Sequence, residues 1–549
     1  MEKARANVSA LVERFRENLD VYKNIAYNEA QTRREFIDPF FMALGWDVTN
    51  RAGYAEQYKD VVHEDSVKVG STLKAPDYSF RVGGVRKFFL EAKRPSVSIK
   101  DDVSPAYQLR RYAWSAKLPL SILTDFEELA VYDCRVKPAP TDKVSTGRVA
   151  LYTFEDYLKK FDEIYGTFSK DAVLKGSFDR YILSTKKKRG TAEVDREFLK
   201  EIEAWREALA RNIALRNPSL TVEELNFSVQ QTIDRIIFLR ISEDRGMENY
   251  GRLRSHLNGP NTYSRLFELF YEADTKYNSG LFDFKADALT RGLAIDDKVL
   301  KGIIDGLYYP KSPYEFSVLG VEILGNVYEQ FLGKVIRLTA GHKAKVEEKP
   351  EVKKAGGVYY TPEYIVEYIV KNTVGRLLEG KSPKKAEKLK VLDPACGSGS
   401  FLIGAYKYLL DYHLGWYRES GPEKHARGKR PAVYRGAGGE WRLTTQEKKR
   451  ILINNIFGVD IDRQAVEVTK LSLLLKVLED ESGETLGKNL ALFRERALPN
   501  LKDNIKCGNS LIGPDFYETP PLFPPLKKGG LGGVSDGDAR RINAFDWND

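Results

Sequence analysis

The chain has 549 residues, enough for two to four domains with separate cores. No apolar run approaches the roughly 20 residues of a membrane helix, Met1-Glu2-Lys3-Ala4-Arg5 opens no signal-peptide core, and a cytoplasmic location is expected. Cys134, Cys396 and Cys507 are too scattered for a disulfide framework or a zinc cluster, and the net charge of +9 suits a polyanionic partner without proving one.

In the first region, residues 1 to about 185, helical spacing runs from Val8 to Tyr22. It returns from Phe36 to Leu44, in a helix that Asn28 to Arg33 opens and Gly45 ends. A β-prone run from Lys74 to Val82, the pair Gly83-Gly84 and a second run from Val85 to Arg94 predict a hairpin. With 83 and 84 as the turn, Asp77 faces Leu90 and lies next to Glu91, while Glu91 and Lys93, two apart, point to one side. Two carboxylates at a strand edge can hold Mg2+ through hard oxygens, and a lysine beside them can orient water or stabilise charge on a phosphate. Phosphodiester cleavage needs those parts, although a solvated strand edge explains the same residues. Leu118 to Asp125 and Glu128 to Asp133 add strands to an α/β core.

Pro76-Asp77 followed by Glu91-Ala92-Lys93 matches the PD-(D/E)xK nuclease pattern, and Gln108-Leu109-Arg110-Arg111-Tyr112 resembles the QxxxY motif of its RecB-like members. The stretch from Asn28 to Asp47 is similar to the start of the nuclease domain in type I restriction subunits and single-chain type IIG restriction-modification enzymes. The resemblance implies Asp77 and Glu91 as Mg2+ ligands, Lys93 assisting hydrolysis, and Gln108 with Tyr112 bracing the site. It also implies an acid on the first helix that assists metal binding, for which Glu29 is the candidate and Glu35 the reserve.

Between about 186 and 345 the β signal fades after Lys186-Lys187-Lys188-Arg189-Gly190. Apolar residues at helical period predict helices from Phe198 to Leu215, Val222 to Arg245 and Tyr314 to Leu332. The arginines and acids of the second helix read as intrahelical ion pairs. In type IIG relatives a similar helical connector joins nuclease to methyltransferase, which implies a spacer here.

From about 346 to 549 the pattern changes again. The charged stretch from Ala340 to Lys354 reads as an exposed linker or flap, and Thr361 as the N-cap of a helix with Pro362 in its first turn, running from Glu363 to Val374. Lys388 to Leu392 reads as a buried strand that breaks at Asp393-Pro394-Ala395-Cys396-Gly397-Ser398-Gly399 into the helix starting at Phe401. Glycines at such a hand-over let a ligand approach the backbone closely. The P-loop alternative lacks its lysine, since Gly399 is followed by Ser400-Phe401. Ile456 to Asp460 forms a second strand whose terminal acid, Asp460, can accept from ribose hydroxyls, with Asp462 capping the next helix. Asp460 stands 67 residues past Asp393, so a basic and aromatic insert from Trp416 to Arg450 intervenes, able to touch DNA or simply to be solvated. Ile505 to Gly513 reads as the third strand.

The string Asp393 to Phe401 resembles the first motif of amino-type DNA methyltransferases, which methylate adenine N6 with S-adenosylmethionine. That resemblance implies that Asp393, Pro394, Ala395, Cys396, Gly397, Gly399 and Phe401 hold the methionine part of the cofactor, lined also by Tyr360, Thr361 and Pro362. Asn509 stands where many relatives place an aspartate for the adenine amino group, and an amide oxygen can still accept. The family's Asn/Asp-Pro-Pro-Tyr/Phe loop, which would hold a flipped adenine, is missing. Thr519-Pro520-Pro521-Leu522 and Phe523-Pro524-Pro525-Leu526 lack its amide and ring, a glycine-rich insert follows from Lys527 to Gly533, and Asn543 to Trp547 resembles what precedes that loop.

The expectation is a multi-domain α/β protein: a restriction-endonuclease-like nuclease domain (1–185), a helical connector (186–345) and the cofactor-binding part of a Rossmann-like N6-adenine methyltransferase domain (346–549). It implies the amino-terminal, truncated portion of a type IIG enzyme using Mg2+ and S-adenosylmethionine on double-stranded DNA, with a downstream chain supplying the catalytic loop and the target-recognition domain. The alternatives are a phage-defence adenine methyltransferase with an inactive nuclease-like domain, separable by Mg2+-dependent cleavage, and a non-catalytic DNA-binding or assembly subunit.

Overall fold

The computed structural model describes residues 1–53, 59–63, 76–83, 85–184, 193–277, 280–285, 287–320, 325, 327, 333–349, 361–428, 430–436, 441–479, 498–513, 543, 545 and 546. These form two discontinuous units: Met1–Glu197 with Arg240–Arg252 and Ile304–Gly320, and Phe198–Leu239 with Leu253–Ile303 and Val321–Asp549. The helical block expected over 186–345 is divided between them. Gly84, Tyr360, the lysine run at 186–190 and the Pro-Pro strings at 519–526 lie outside the described residues.

The first unit is built on a six-stranded sheet in simple order: β1 (Val61–Val62), β2 (Tyr78–Val82), β3 (Val85–Ala92), β4 (Leu120–Thr124), β5 (Glu128–Asp133) and β6 (Arg148–Thr153). All neighbours run antiparallel except β3 and β4, whose parallel pairing requires a crossover that the Val103–Ser115 helix supplies. Both faces of the sheet are covered. Phe88, Leu90 and Ala92 point into a core with Phe36, Phe40, Phe41 and Trp46 from the amino-terminal helices, whereas Phe89 packs with Leu109, Tyr112 and Leu123 on the other side. Period-2 alternation thus sends Glu91 to the face covered by the Val103–Ser115 helix.

The hairpin register differs from the expected one by a bulge. Val82 pairs Val85 and Arg81 pairs Arg86, but Phe80 pairs Phe88 and Tyr78 pairs Leu90, leaving Lys87 as an extra residue. Leu90 therefore faces Tyr78 and not Asp77. Stacking of Phe80 on Phe88, with ring centroids 4.3 Å apart and planes within 8°, accompanies the shift and fixes which residues share a face.

Three expectations need correction. Tyr314 to Gly320 forms no helix; it follows Pro313 as irregular chain with a turn over residues 316–318, and Tyr314, Glu315, Phe316, Val318 and Leu319 are buried without helical or strand periodicity. The linker expected from Ala340 is a hairpin, β7 (Lys334–Leu338) against β8 (Ala344–Glu348), turned at His342 with φ of 54° and alternating Ala344 and Val346 between charges. In the Val222–Asp244 helix the pair Arg240–Asp244 is intrahelical at 2.7 Å, but Arg235 reaches out to Asp287 at 2.6 Å. Both arginines are buried, a desolvation cost that only such paired, hydrogen-bonded partners offset.

The second unit holds β9 (Val391–Asp393), a small hairpin of β10 (Val433–Arg435) and β11 (Trp441–Leu443), then β12 (Ile456–Asp460) and β13 (Ile505–Cys507). Strands β13, β12 and β9 make a parallel sheet in that order, with the Ser400–Glu419 and Arg463–Val477 helices following β9 and β12. β9 is shorter than the expected strand and is not buried: Leu392 is 48 % exposed, as an edge position permits. The described residues of the insert from Trp416 carry the β10–β11 hairpin and the Thr445–Asn455 helix. Pro362 itself is the N-cap of the Glu363–Val370 helix, one residue later than expected, so Thr361 lies outside the helix.

Candidate functional site

The acidic edge of the first unit gathers side chains from four elements. Asn28 and Gln31 form a reciprocal capping box, each side chain bonding the other's main-chain N–H at 2.9 Å, which starts a helix at Glu29. A π-helical turn over Arg33–Ile37 follows. Asp77 precedes β2, Glu91 and Lys93 lie at the end of β3, and Gln108 and Tyr112 come from the covering helix.

Contacts among these residues are direct. Lys93 Nζ donates to Glu91 Oε1 at 2.8 Å and lies 3.6 Å from Glu29 Oε2. Gln108 Nε2 donates to the same Glu91 oxygen at 3.3 Å, and Ala92 N donates to Asp77 Oδ2 at 2.8 Å, bringing the two acids to one edge. Tyr112, one turn after Gln108 on the covering helix, is buried; its hydroxyl titrates well above the usual range through burial first, then the Glu315 and Glu91 carboxylates. Glu35, the reserve acid, accepts from Arg14 on its main-chain carbonyl and, among the described residues, makes no hydrogen bond or ion pair with Lys93, Asp77 or Glu91.

Electrostatics at the edge are dominated by burial. The Glu91 carboxyl is pushed up to about 8 by desolvation and then by Asp77, against the opposing pull of Lys93. Burial alone would lower Lys93, but Glu91, Glu29 and Asp77 hold it up at about 12. Glu29 is raised, mainly by desolvation. Glu91 Oε2 is buried without a hydrogen-bond partner, an orphan acceptor of the kind a bound cation satisfies. Among the described residues no cluster of three His, Cys, Asp or Glu side chains is placed to hold a metal ion; the acids that Ala92 brings to this edge are two, Asp77 and Glu91. That number suits Mg2+, which keeps several waters.

Sequence reasoning missed Arg33. Its Nη1 donates to Asp77 Oδ1 at 3.2 Å and its Nε to the Tyr78 hydroxyl at 3.2 Å. Its position four residues after Glu29, on the same helical face, was the available signal.

The second candidate site is made chiefly of backbone. Gly397 (φ 54°) and Gly399 (φ 84°) adopt left-handed conformations between β9 and the Ser400–Glu419 helix. A Cβ on Gly399 would stand 2.8 Å from Thr469 Cγ2, whereas one on Gly397 would meet nothing within 4 Å. Among the described residues, therefore, Gly397 borders open space. Thr469, which no local signal marks, donates its hydroxyl to the Gly397 carbonyl at 2.8 Å.

Asp460 braces the turn: its Oδ2 accepts from Gly397 N at 2.9 Å and its Oδ1 from Asp462 N at 2.8 Å. Burial raises its carboxyl. Asp462 caps the following helix through Gln464 N, as expected. Asp393 Oδ1 accepts from Ala395 N at 3.1 Å, Pro394 and Ala395 are exposed, Cys396 is buried, and Phe401 is half-buried in the first turn of the helix. Asn509 gives its N–H to Asn543 O at 2.6 Å and accepts Leu511 N on Oδ1 at 3.1 Å, leaving that oxygen one lone pair. The open Gly397 face fits a ligand approaching backbone, as S-adenosylmethionine would.

Comparison with known proteins bears on both sites. Residues 375–516, which contain the glycine turn, β12 and β13, match the family described as MmeI, DNA-methyltransferase domain. RM.Eco57I of Escherichia coli, a type II restriction enzyme and methyltransferase, is 38% identical over 504 residues, covering 91% of this chain and 49% of that protein. The adenine-specific methyltransferase BrxX of Escherichia coli O9:H4 (strain HS) is 29% identical over 238 residues, 38% of this chain and 16% of that protein. A DrdV–DNA complex matches 91% of this chain and 40% of its own at 14% identity, with a TM-score of 0.32, too low to bear on the fold. The chain spans about half the length of RM.Eco57I. It is thus a homologue of the type IIG restriction-modification enzymes, related over nearly all of its own length to a protein that restricts and methylates.

Proposed function

We propose that this chain carries two chemistries of a restriction-modification protein acting on double-stranded DNA: Mg2+-dependent phosphodiester cleavage at the Asp77–Glu91 edge, and S-adenosylmethionine binding over the Gly397 turn for adenine N6 methylation. The observation that carries the reading is the convergence of Asp77, Glu91, Lys93, Gln108 and Glu29 around a carboxylate with one orphan oxygen. Mg2+, bound by Asp77 and Glu91, would supply Lewis-acid polarisation of the phosphate.

The residues themselves do the rest. Lys93, held cationic by three acids, presents positive charge to a developing phosphorane oxygen and a donor to the attacking water. Gln108 fixes the Glu91 rotamer, and Glu29 keeps Lys93 over the edge. Tyr112, one turn after Gln108 on the same helix, is buried in the core beside Phe89. In the second site Gly397 lets the cofactor approach the main chain, and Asp460, on lone pairs not taken by Gly397 and Asp462, accepts from the ribose hydroxyls. Asp393 to Phe401, with Tyr360, Thr361 and Pro362, would border the methionine end, and Asn509 the adenine. With no Asn-Pro-Pro-Tyr run in its sequence, the chain is assigned cofactor binding rather than methyl transfer by itself.

Incubation of plasmid DNA with the purified chain and Mg2+ tests the first half: nicking or cleavage is expected, lost in Lys93→Ala. Calorimetry with S-adenosylmethionine tests the second, and unchanged affinity in Gly397→Val would overturn it.

A further inference from the structure

At this edge both acids have a cation of the chain's own. Lys93 serves Glu91, while Asp77 is served by Arg33, which comes from a different element. The guanidinium of Arg33 is shared: Nη1 donates to Asp77 Oδ1 at 3.2 Å, Nη2 to the Asp77 carbonyl at 3.5 Å and toward His63 Nδ1 at 3.3 Å, and Nε to the Tyr78 hydroxyl at 3.2 Å. It also lies 4.6 Å from the centre of the Tyr78 ring. Tyr78 is itself fixed, donating to Asp38 Oδ1 at 2.6 Å. The Tyr78 anchor does not involve Asp77, so the outer nitrogens can leave the acid without releasing the side chain.

Resting on the nuclease reading above, we propose that Arg33 is a resident cation that a divalent ion displaces from Asp77, and that, once displaced, its guanidinium binds a phosphate oxygen of the DNA backbone. Ion and guanidinium compete for the same Asp77 oxygen and repel one another, so they cannot both sit there. Five N–H donors in a planar fork match phosphate geometry, and the Arg33 side chain is 27% exposed where that of Asp77 is 2%, so the arginine reaches solvent while the acid stays buried. The π-helical turn that begins at Arg33 widens the backbone where the side chain must move, a feature frequent at functional sites.

The test titrates Mn2+ alone into the whole 549-residue chain, reading unbound Mn2+ by electron paramagnetic resonance, and separately measures plasmid nicking at saturating Mn2+. Arg33→Gln removes the competing charge, so Mn2+ should bind roughly tenfold tighter while nicking slows by about tenfold or more. Arg33→Lys, which keeps the charge but not the fork, should return Mn2+ affinity toward the parent value and recover part of the nicking. A structural role alone would weaken both readouts together. Unchanged or weaker Mn2+ binding by Arg33→Gln, or tighter binding with undiminished nicking, overturns the proposal. Asp77→Asn separates the two levels: if it binds Mn2+ as well as the parent chain, the metal reading of this edge fails, and the inference fails with it.

Discussion

At the Asp77–Glu91 edge the polar groups are side chains, the two acids are buried, and the cations of Arg33 and Lys93 are engaged. At the Gly397 turn they are main-chain amides and carbonyls, braced by Asp460 and Thr469, and the space over Gly397 is open among the described residues. A site of buried charges answers to pH, to divalent ions and to loss of any single charge. One made of backbone answers to added carbon atoms and little to titration. Substitutions of the two kinds should therefore act on separate readouts.

The largest expected effect is Lys93→Ala, which removes the charge shared by Glu91, Glu29 and Asp77; Mg2+-dependent cleavage should fall roughly a hundredfold or more while S-adenosylmethionine affinity is unchanged. A parallel loss of cofactor binding would mean that the two sites are not independent. Next comes Gly399→Ala. Its Cβ would collide with Thr469 at 2.8 Å in a left-handed backbone, so the chain should lose roughly 1–3 kcal/mol of stability, seen as a lower melting temperature, together with cofactor affinity. Gly397→Ala meets no neighbour, so its stability cost should be smaller, about 1 kcal/mol from the left-handed φ, with cofactor affinity still reduced because the open face is filled.

A pH series sharpens the contrast further. With the Glu91 carboxyl held at about 8 against an ordinary value of 4.5, the folded metal-free chain keeps a proton that the unfolded chain has lost between those limits. Its contribution to stability should decline as pH rises through that window, and Mn2+ affinity should climb across it by up to about tenfold per unit. Cofactor affinity should stay nearly flat from pH 6 to 8. The smallest effect is expected from Gln108→Ala, whose 3.3 Å contact only orients Glu91: a cleavage loss of about tenfold or less, with Mn2+ affinity changed less than by Asp77→Asn.

Much of both sites was legible because their residues sit close in sequence at element ends. Glu91 and Lys93 share a strand, and the glycines mark a strand-to-helix turn. The bulge at Lys87 was not legible, since aromatic stacking of Phe80 on Phe88 decides the register and two-residue turn arithmetic cannot see it. The hairpin at Lys334–Glu348 was hidden by its charge, because exposed strands can alternate small apolar residues with lysines and glutamates as readily as linkers do. Residues 314–320 illustrate the opposite error: aromatic spacing alone suits a helix face, yet after Pro313 the segment is an irregular turn buried at nearly every position.

The amino-acid sequence by itself determined the local chemistry: which acids, lysine and glycines stand at strand ends, and that a helix must begin at Asn28 and after Gly399, because capping, turn and periodic signals act within a few residues. Only the tertiary structure decided that Arg33 stands on Asp77, that Gln108 reaches Glu91 from a crossover helix, and that Thr469 closes the glycine turn from 72 residues away. Those contacts join residues far apart along the chain, and their partners are chosen by how the sheet faces and helices pack rather than by any neighbouring residue.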